Sequence, residues 1–262
     1  MLSILITNDD GIDAPGLWTI VNHLKPFYKI TVVAPANNQS GTGASMTLKS
    51  TVKLIEKPNY EDNVEVFTVE GTPADCVILA CEKIFNTPPK LIVSGINSGA
   101  NLGLDVMLSG TVGAAIHGYL RNIPSIAISS SYKSESELRF DVAGLIIEQL
   151  VMNSTKKISS KPFLLNVNVP SVNLDVIKKL KLTFLGKSNY QQNIEKDHTS
   201  EQQNFWIKPD KKNYEKPAVG SDIWAVEKNY ISITKIEPFY SSILDDSIIS
   251  DIIEIINLKY FK

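Results

Sequence analysis

Short apolar runs alternate with longer amphipathic stretches through the first two-thirds of the chain. The runs are rich in Ile and Val, which is typical of strands buried on both faces of a parallel sheet. They predict strands at residues 2–7, 29–34, 64–69, 90–94, 124–129 and 163–168. The stretches between them predict helices near residues 15–25, 73–85, 111–121 and 137–152. This alternation predicts an α/β fold in which helices cover both faces of a mostly parallel sheet.

The pattern changes after residue 186, where polar residues become dominant. Residues 186–220 are rich in Asn, Gln, Lys and Glu, and they are too many for an ordinary connection in a compact domain. This segment is therefore predicted to be a lid, an extended hairpin arm or a partner-binding excursion.

Apolar residues return beyond this polar segment. Residues 222–227 and 230–235 predict two strands of a hairpin that turns at Lys228–Asn229, and residues 246–258 predict a terminal helix. The extension is expected to pack on the core or on a neighbouring subunit. The expected domains are an α/β catalytic core at residues 1–185 and a polar arm, β-hairpin and helix at residues 186–262.

Composition is that of an ordinary globular protein, and it narrows the range of partners. Of the 262 residues, 43% are hydrophobic and 21% are charged, and the formal net charge is -2. This charge provides no bulk attraction for a nucleic-acid polymer. Neither a secretory signal nor an apolar run of membrane-spanning length is visible, and Cys76 and Cys81 are expected to be free thiols. We therefore expect a cytoplasmic protein with no membrane partner.

The first predicted strand ends directly in two adjacent acids, Asp9 and Asp10, which Gly11 follows. Ligands of open α/β sheets bind beyond the carboxyl ends of the strands, so these acids lie where a bound group is expected. Two neighbouring carboxylates are costly to bury unless a cation or a bound proton offsets them. The pair therefore predicts half of a metal site, although Asn, Asp and Gly also make ordinary turns.

Two further polar segments directly follow predicted strands. Residues 36–45, which include Ser40, offer amides, hydroxyls and two glycines. Residues 94–105 place Asn97 and Asn101 between glycines that recur every four residues, and glycine lets the backbone approach a ligand closely. Each segment alone is also compatible with a plain polar loop or a glycine-rich connection.

A fourth segment, residues 109–115, opens a helix of small residues with Ser109, Gly110 and Thr111. The free backbone amides at a helix N-terminus form a ready anion site. The simpler interpretation is a helix cap by Ser109 or Thr111. In a doubly wound sheet all four segments come together, and this predicts a common ligand site.

The candidate ligand atoms are carboxylate, hydroxyl and amide oxygens, which favours Mg²⁺ or Mn²⁺ over zinc. The histidines at positions 23, 117 and 198 show no zinc-type spacing, and no Gly-x-Gly-x-x-Gly motif follows the first strand. A hard cation beside a helix-terminus anion site indicates phosphoryl chemistry.

These segments closely resemble the SurE survival-protein family of metal-dependent nucleotidases. The matches occur in order over about residues 1–236, and such an ordered set is not expected by chance. The matching motifs are Thr7–Gly16, Ala34–Gly41, Gly71–Val77, Val93–Gly103, Ser109–Ala115, Leu165–Pro170 and Ser221–Val226.

The resemblance implies a Rossmann-like core that hydrolyses nucleoside 5′-monophosphates, with 3′-monophosphates as further candidates. It implies a homodimer or homotetramer in which C-terminal segments are exchanged. It also implies one divalent metal ion per subunit, Mg²⁺ or Mn²⁺, with the ligands Asp9, Asp10, Ser40 and Asn97. The phosphate-binding residues that it implies are Asn101, Ser109, Gly110 and Thr111.

From these roles we predict three catalytic residues, Asp9, Asn101 and Ser109. Asp9 holds the metal and orients or deprotonates the attacking water. Asn101 and Ser109 stabilise charge on the phosphoryl oxygens as the transition state forms.

The chain departs from the family pattern in two regions. His117 and Leu108 stand where the pattern has a glutamate and a tyrosine, and the arginine-containing pattern between Gly186 and Trp206 is degraded. Because fold and function are separable, two alternatives stay open. One is a non-catalytic nucleotide- or phosphate-sensing module on the same fold, and the other is a broader phosphatase acting on short polyphosphate.

Overall fold

A computed structural model describes residues 1–58, 61, 64–132, 138–156, 162–187, 191–196, 203–210 and 216–237. The strands are β1 (Ser3–Thr7), β2 (Lys29–Pro35), β3 (Lys53–Glu56), β4 (Glu65–Glu70), β5 (Leu91–Ser98), β6 (Ser125–Ser131), β7 (Leu164–Pro170), β8 (Leu180–Thr183), β9 (Gln191–Lys196), β10 (Phe205–Asp210) and β11 (Ile231–Lys235). The α-helices are α1 (Pro15–Leu24), α2 (Pro73–Leu79), α3 (Gly110–Tyr119), α4 (Asp141–Lys156) and α5 (Asp222–Glu227). A π-helical turn occupies Ala80–Ile84, and a 3-10 turn occupies Gly103–Met107.

A nine-stranded sheet forms the centre of the described structure, in the order β3-β4-β2-β1-β5-β6-β7-β11-β8. All neighbours from β4 to β7 are parallel, and so are β11 and β8. Only two pairs in this sheet are antiparallel, β3 with β4 and β11 with β7. The mostly parallel sheet confirms the predicted α/β class.

β1 lies in the middle of the sheet because its side chains are apolar on both faces. Ile4, Leu5 and Ile6 are fully buried, and burial of each contributes about 1.5–3 kcal/mol. Ile4 and Ile6 belong to the core that α1 and α4 cover, whereas Leu5 belongs to the core that α2 and α3 cover. Helices on both faces therefore leave the carboxyl-terminal edge of the sheet as the place for a site.

The predicted hairpin over residues 222–235 is wrong. Residues 222–227 form α5, and Ser221 caps this helix by accepting a 3.2 Å hydrogen bond from the Trp224 N–H. The short apolar sequence fits a strand as well as a helix, and the N-cap decides between them. The strand that follows, β11, pairs with β7 and β8 and so extends the core sheet.

Other boundaries also differ from the prediction. The helix predicted over residues 73–85 is α-helical only as far as Leu79 and continues as the π-helical turn. The helix predicted from residue 137 begins at Asp141. The edge strands β3 and β8 are absent from the prediction because they are short and no residue of either is fully buried.

Within the polar segment, β9 and β10 form a separate antiparallel pair. Of the three predicted possibilities, this pair corresponds to the hairpin arm. The predicted terminal helix at residues 246–258 lies outside the described residues, and the use of the extension in subunit contacts stays a prediction. Among the helices that the structure describes, none is both long and apolar enough to cross a bilayer.

Candidate active site

The candidate site lies at the carboxyl-terminal edge of the sheet, where three adjacent strands end. β1 is parallel to β2 on one side and to β5 on the other. The loops that follow these strands therefore meet at one edge, as the sequence predicts. The loop after β1 carries the acidic pair, the loop after β2 carries Ser40, and the end of β5 carries Asn97.

Asp9 is the buried acid of the pair, with 3% of its surface exposed. Its Oδ1 accepts a 2.5 Å hydrogen bond from the Thr111 hydroxyl at the start of α3. Its backbone carbonyl accepts a 2.7 Å hydrogen bond from the Gln39 N–H in the loop after β2. Burial raises the pKa of Asp9 to about 6; the Thr111 hydrogen bond opposes this shift and the charge of Asp10 adds to it.

Asp10 is half-buried and links the other two loops. Its Oδ2 accepts a 3.1 Å hydrogen bond from the Ser98 N–H at the end of β5. Its Oδ1 lies 3.5 Å from the Asn38 Nδ2 in the loop after β2. Burial also raises the pKa of this carboxyl group.

The turn after β1 is built by the residues that flank the acidic pair. Asn8 Nδ2 donates a 2.8 Å hydrogen bond to the Gly11 carbonyl, and the Gly11 N–H donates one of 3.2 Å to Asn8 Oδ1. Gly11 has a φ of 103°, a conformation that favours glycine. The turn interpretation of this motif is therefore correct for Asn8 and Gly11. It leaves the Asp9 and Asp10 side chains with no role in the turn, which supports a ligand role for them.

Ser40 lies on the loop after β2, whereas Asn97 lies near the end of β5, beyond the predicted end of that strand; both elements contact Asp10. The exposed Ser40 donates its N–H to Asn38 Oδ1 at 2.8 Å, so the residue that contacts Asp10 also holds Ser40. Asn97 donates its Nδ2 to the Gly99 carbonyl at 2.8 Å, which leaves Oδ1 as its atom for a cation. Their place among the metal ligands stays a prediction.

The donor set fits a hard divalent cation. Across the described parts of the chain, no lysine, arginine or histidine forms an ion pair with Asp9 or Asp10. Nor does this part contain a group of three or more His, Cys, Asp or Glu side chains suited to a metal. Two neighbouring, poorly solvated carboxylates with no cation to offset them, beside hydroxyl and amide oxygens, match the preference of Mg²⁺ or Mn²⁺.

The N-terminus of α3 packs directly against Asp9. A Cβ atom on Gly110 would lie 2.8 Å from the Asp9 Cβ and 3.0 Å from its Oδ2, so a side chain at this position would displace the acid. Ser109 caps the helix by accepting a 3.1 Å hydrogen bond from the Val112 N–H, as the simpler interpretation expects. The structure thus brings the predicted phosphate-binding turn beside the acidic pair.

Asn101 is held in place by a cluster of buried polar residues. Its N–H donates to Asn168 Oδ1 at 2.8 Å, and its carbonyl accepts from Asn166 Nδ2 at 2.8 Å and Asn168 Nδ2 at 3.0 Å. Its own Nδ2 donates to the Ser129 hydroxyl at 2.9 Å. Residues of β6 and β7 therefore hold Asn101, the predicted phosphate-binding residue, in place.

The loop after β2 is also anchored to α3. The Gly43 N–H donates to the Leu108 carbonyl at 2.9 Å, and a Cβ on Gly113 would lie 2.2 Å from the Gly43 carbonyl oxygen. His117, buried on α3, donates from Nε2 to the Ala44 carbonyl at 3.0 Å. The histidine that departs from the family pattern therefore contributes a loop contact.

Comparison with known proteins agrees with this geometry. The family model described as Survival protein SurE matches residues 4–192. The chain belongs to the SurE family. The SurE match spans β1 to the start of the hairpin arm and so includes every predicted site residue.

SurE relatives also match most of the chain. The "5'-nucleotidase SurE" of Dehalococcoides mccartyi (strain CBDB1) is 40% identical over 89% of this chain and 88% of its own length. The "5'/3'-nucleotidase SurE" of Wigglesworthia glossinidia brevipalpis is 35% identical over 96% of each chain. The crystal structure of the SurE protein from Aquifex aeolicus superposes with a TM-score of 0.77 at 31% identity, and covers 97% of this chain and 99% of that one.

Three residues that support the SurE site have no role in the sequence prediction. Asn166 and Asn168 occur only as part of a family motif, yet they clamp Asn101. Their signal is visible, since two asparagines alternate within an otherwise apolar strand. Asp222, which is fully buried, also lies in a family motif, but no local pattern reveals its role because Gly103 and Gly186 are remote in sequence.

Proposed function

We propose that the protein is a metal-dependent nucleotidase that hydrolyses nucleoside 5′-monophosphates to nucleoside and phosphate. The observation that carries this proposal is the contact between Asp9 and α3. A buried carboxylate, which no basic side chain of the described residues pairs with, accepts a hydrogen bond from Thr111 in the first turn of α3 and packs against Gly110. This arrangement suits a cation beside a phosphate group. The proposal is supported by relatives named 5'-nucleotidase that match most of the chain.

Asp9, Asp10, Ser40 and Asn97 would hold one Mg²⁺ or Mn²⁺ per subunit. Such an ion supplies a Lewis acid for the phosphoryl oxygens and lowers the pKa of a bound water. Asn101 and the Ser109–Thr111 turn would orient the phosphoryl group and stabilise charge on its oxygens. We also propose that the Asp9 carboxylate orients the attacking water or accepts a proton from it.

Further parts of this proposal concern substrate range and assembly. The substrate is a free mononucleotide rather than a nucleic-acid polymer, in agreement with a formal net charge of -2. A relative named 5'/3'-nucleotidase makes 3′-monophosphates additional substrates to test. We also propose a cytoplasmic homodimer or homotetramer in which the segments after residue 185 make the subunit contacts.

A substrate panel with defined metals tests the proposal. Purified protein, stripped with EDTA, is assayed for phosphate release from 5′- and 3′-monophosphates of each nucleoside, with Mg²⁺, with Mn²⁺ and without metal. We expect release from nucleoside monophosphates only when metal is present. Full activity in EDTA would contradict the metal site, and no release from any nucleotide would contradict the nucleotidase.

The two alternatives give different results in the same panel. A sensing module would bind a nucleotide in the presence of Mn²⁺, measured by calorimetry, without releasing phosphate. A broader phosphatase would release phosphate from short polyphosphate at a rate comparable to that from nucleotides.

A further inference from the structure

Asp222 is a fully buried acid that holds three backbone segments together. Its Oδ2 accepts a 2.8 Å hydrogen bond from the Gly103 N–H. Its Oδ1 accepts hydrogen bonds of 2.7 Å from the Gly186 N–H and 2.8 Å from the Ile223 N–H. Among the described residues, no basic side chain forms an ion pair with it, so its charge is offset by backbone amides.

One of these bonds reaches the proposed phosphate-binding segment. Gly103 opens the 3-10 turn that leads from the segment after β5 to α3. Asn101 lies two residues before Gly103. Beyond the turn, the Ser109 N–H donates a 2.9 Å hydrogen bond to the Asp105 carbonyl, which ties the start of α3 to the turn. Holding Gly103 therefore fixes the start of the turn that leads to α3, the helix whose Thr111 contacts Asp9.

Another of these hydrogen bonds reaches residues 184–187, which form the root of the polar arm. Gly186 is the first residue of the polar segment and follows β8. A Cβ atom there would lie 2.8 Å from Ile223 Cδ1 and 3.1 Å from Asp222 Oδ1, so the backbone packs closely on the carboxylate.

The start of α5 does not require this carboxylate. Ser221 already caps the helix through the Trp224 N–H. The two oxygens of Asp222 instead accept from two remote segments at once. A carboxylate suits this task because both of its oxygens accept and neither donates, whereas an asparagine would present an N–H group to one of the two donors.

We infer that Asp222 is a positioning residue that fixes the phosphate-binding segment, residues 101–111, and couples it to the root of the arm, residues 184–187. The inference rests on the proposed phosphate-binding role of residues 101–111. Asp222 acts through Gly103 and contacts none of the predicted metal ligands. Its loss should therefore weaken phosphate binding and leave metal binding intact.

The test compares Asp222→Asn with Ser221→Ala in the full chain. For Asp222→Asn we expect kcat/KM to fall and the inhibition constant of inorganic phosphate to rise by about 10- to 100-fold, as misplaced positioning groups typically cause. The Mn²⁺ dissociation constant of this variant, measured by calorimetry, should stay within about twofold of the wild-type constant. Loss of a hydrogen bond to a charged metal ligand would change it by more than that. Ser221→Ala should lower the melting temperature through the lost cap and leave the phosphate constant unchanged.

Two outcomes would overturn the inference. One is an unchanged phosphate constant in Asp222→Asn, and the other is a parallel loss of Mn²⁺ affinity, which a merely structural defect would cause. If Asp222→Asn does not fold, Gly186→Ala provides the same test, because its added Cβ meets the flexible end of Ile223 and the same carboxylate. If the wild-type protein released no phosphate from any nucleotide, the proposed nucleotidase activity would be refuted. The coupling of residues 101–111 to residues 184–187 through Asp222 would still be tested by the phosphate-binding constants.

Discussion

The Thr111 hydroxyl donates a 2.5 Å hydrogen bond to Asp9 Oδ1 across 102 positions of the chain. This bond joins the proposed metal ligand to the helix that would bind phosphate. It also lowers the pKa of Asp9, which burial raises. The same contact therefore influences both the position of the Asp9 carboxyl group and the pH at which it ionises.

Thr111→Val should weaken metal binding, because it removes this hydroxyl and raises the pKa of Asp9 further. A hydrogen bond to a charged group contributes about 1.5–3 kcal/mol, so Mn²⁺ affinity at pH 7 should fall by about tenfold or more. Thr111→Ser keeps the hydroxyl and should keep the affinity. Calorimetric titration of both variants measures the difference, and equal affinities would show that this bond has no influence on the metal.

Asp9→Asn should abolish metal-dependent phosphate release while the protein stays folded. The substitution removes one of two proposed carboxylate ligands and the proposed proton acceptor at about constant volume. Asp13→Asn is the matched control, since it neutralises an exposed acid of the same motif. Initial rates with Mn²⁺ and circular dichroism spectra test this pair. Undiminished turnover in Asp9→Asn would remove the acid from the mechanism.

The stability of the metal-free protein should fall as the pH rises from about 4 to about 6. The folded-state pKa of Asp9 is about 6, above the ordinary pKa of 3.8 for this carboxyl group, so the folded protein retains a proton that the unfolded chain has lost. That proton stabilises the fold below pH 4, and ionisation of Asp9 removes up to about 3 kcal/mol by pH 7.

Urea unfolding in EDTA at several pH values measures this effect against Asp9→Asn. The variant cannot ionise at this position, so the wild type should lose stability relative to it across the same interval. A constant difference between the two proteins from pH 4 to pH 7 would contradict the raised pKa.

Asn168→Ala should impair phosphate binding more than Asn166→Ala. Asn168 accepts the Asn101 N–H, and its loss leaves that buried donor unpaired at a cost of about 1–3 kcal/mol. Within the described residues, the side chain of Asn166 hydrogen-bonds to the Asn101 carbonyl, which Asn168 Nδ2 also reaches. Phosphate inhibition constants and melting temperatures of both variants test this order. The reverse order would contradict the proposal that Asn168 holds Asn101 in place.

The parallel core could be predicted because each buried strand is an apolar run of its own. The meeting of the Asp9–Asp10 pair with the loop of Ser40 and the end of β5 also follows from the sequence, since parallel strands end at one edge. α5 could not be predicted in this way, because its few apolar residues fit either a helical or a strand period. Only the cap by Ser221 resolves that ambiguity.

Long-range polar contacts account for the rest of what the sequence did not reveal. Asp222 and Gly103 are 119 positions apart, and no local pattern connects the first residue of α5 with the first residue of the 3-10 turn. The hydroxyl of Thr111 is a similar case. The helix start is recognisable from its residues, but its contact with Asp9 depends on the packing of α3 against the edge of the sheet.

The close approach of Gly113 to Gly43 holds α3 against the loop that carries Ser40. A side chain at Gly113 would collide with the Gly43 carbonyl oxygen at 2.2 Å, so α3 and the loop that carries Ser40 touch through their backbones. The distance between the two halves of the site is therefore set when the chain folds. At the proposed site, capture of phosphate would then order little additional backbone, which limits its entropic cost. Departure of phosphate would likewise need no hinge between these two elements.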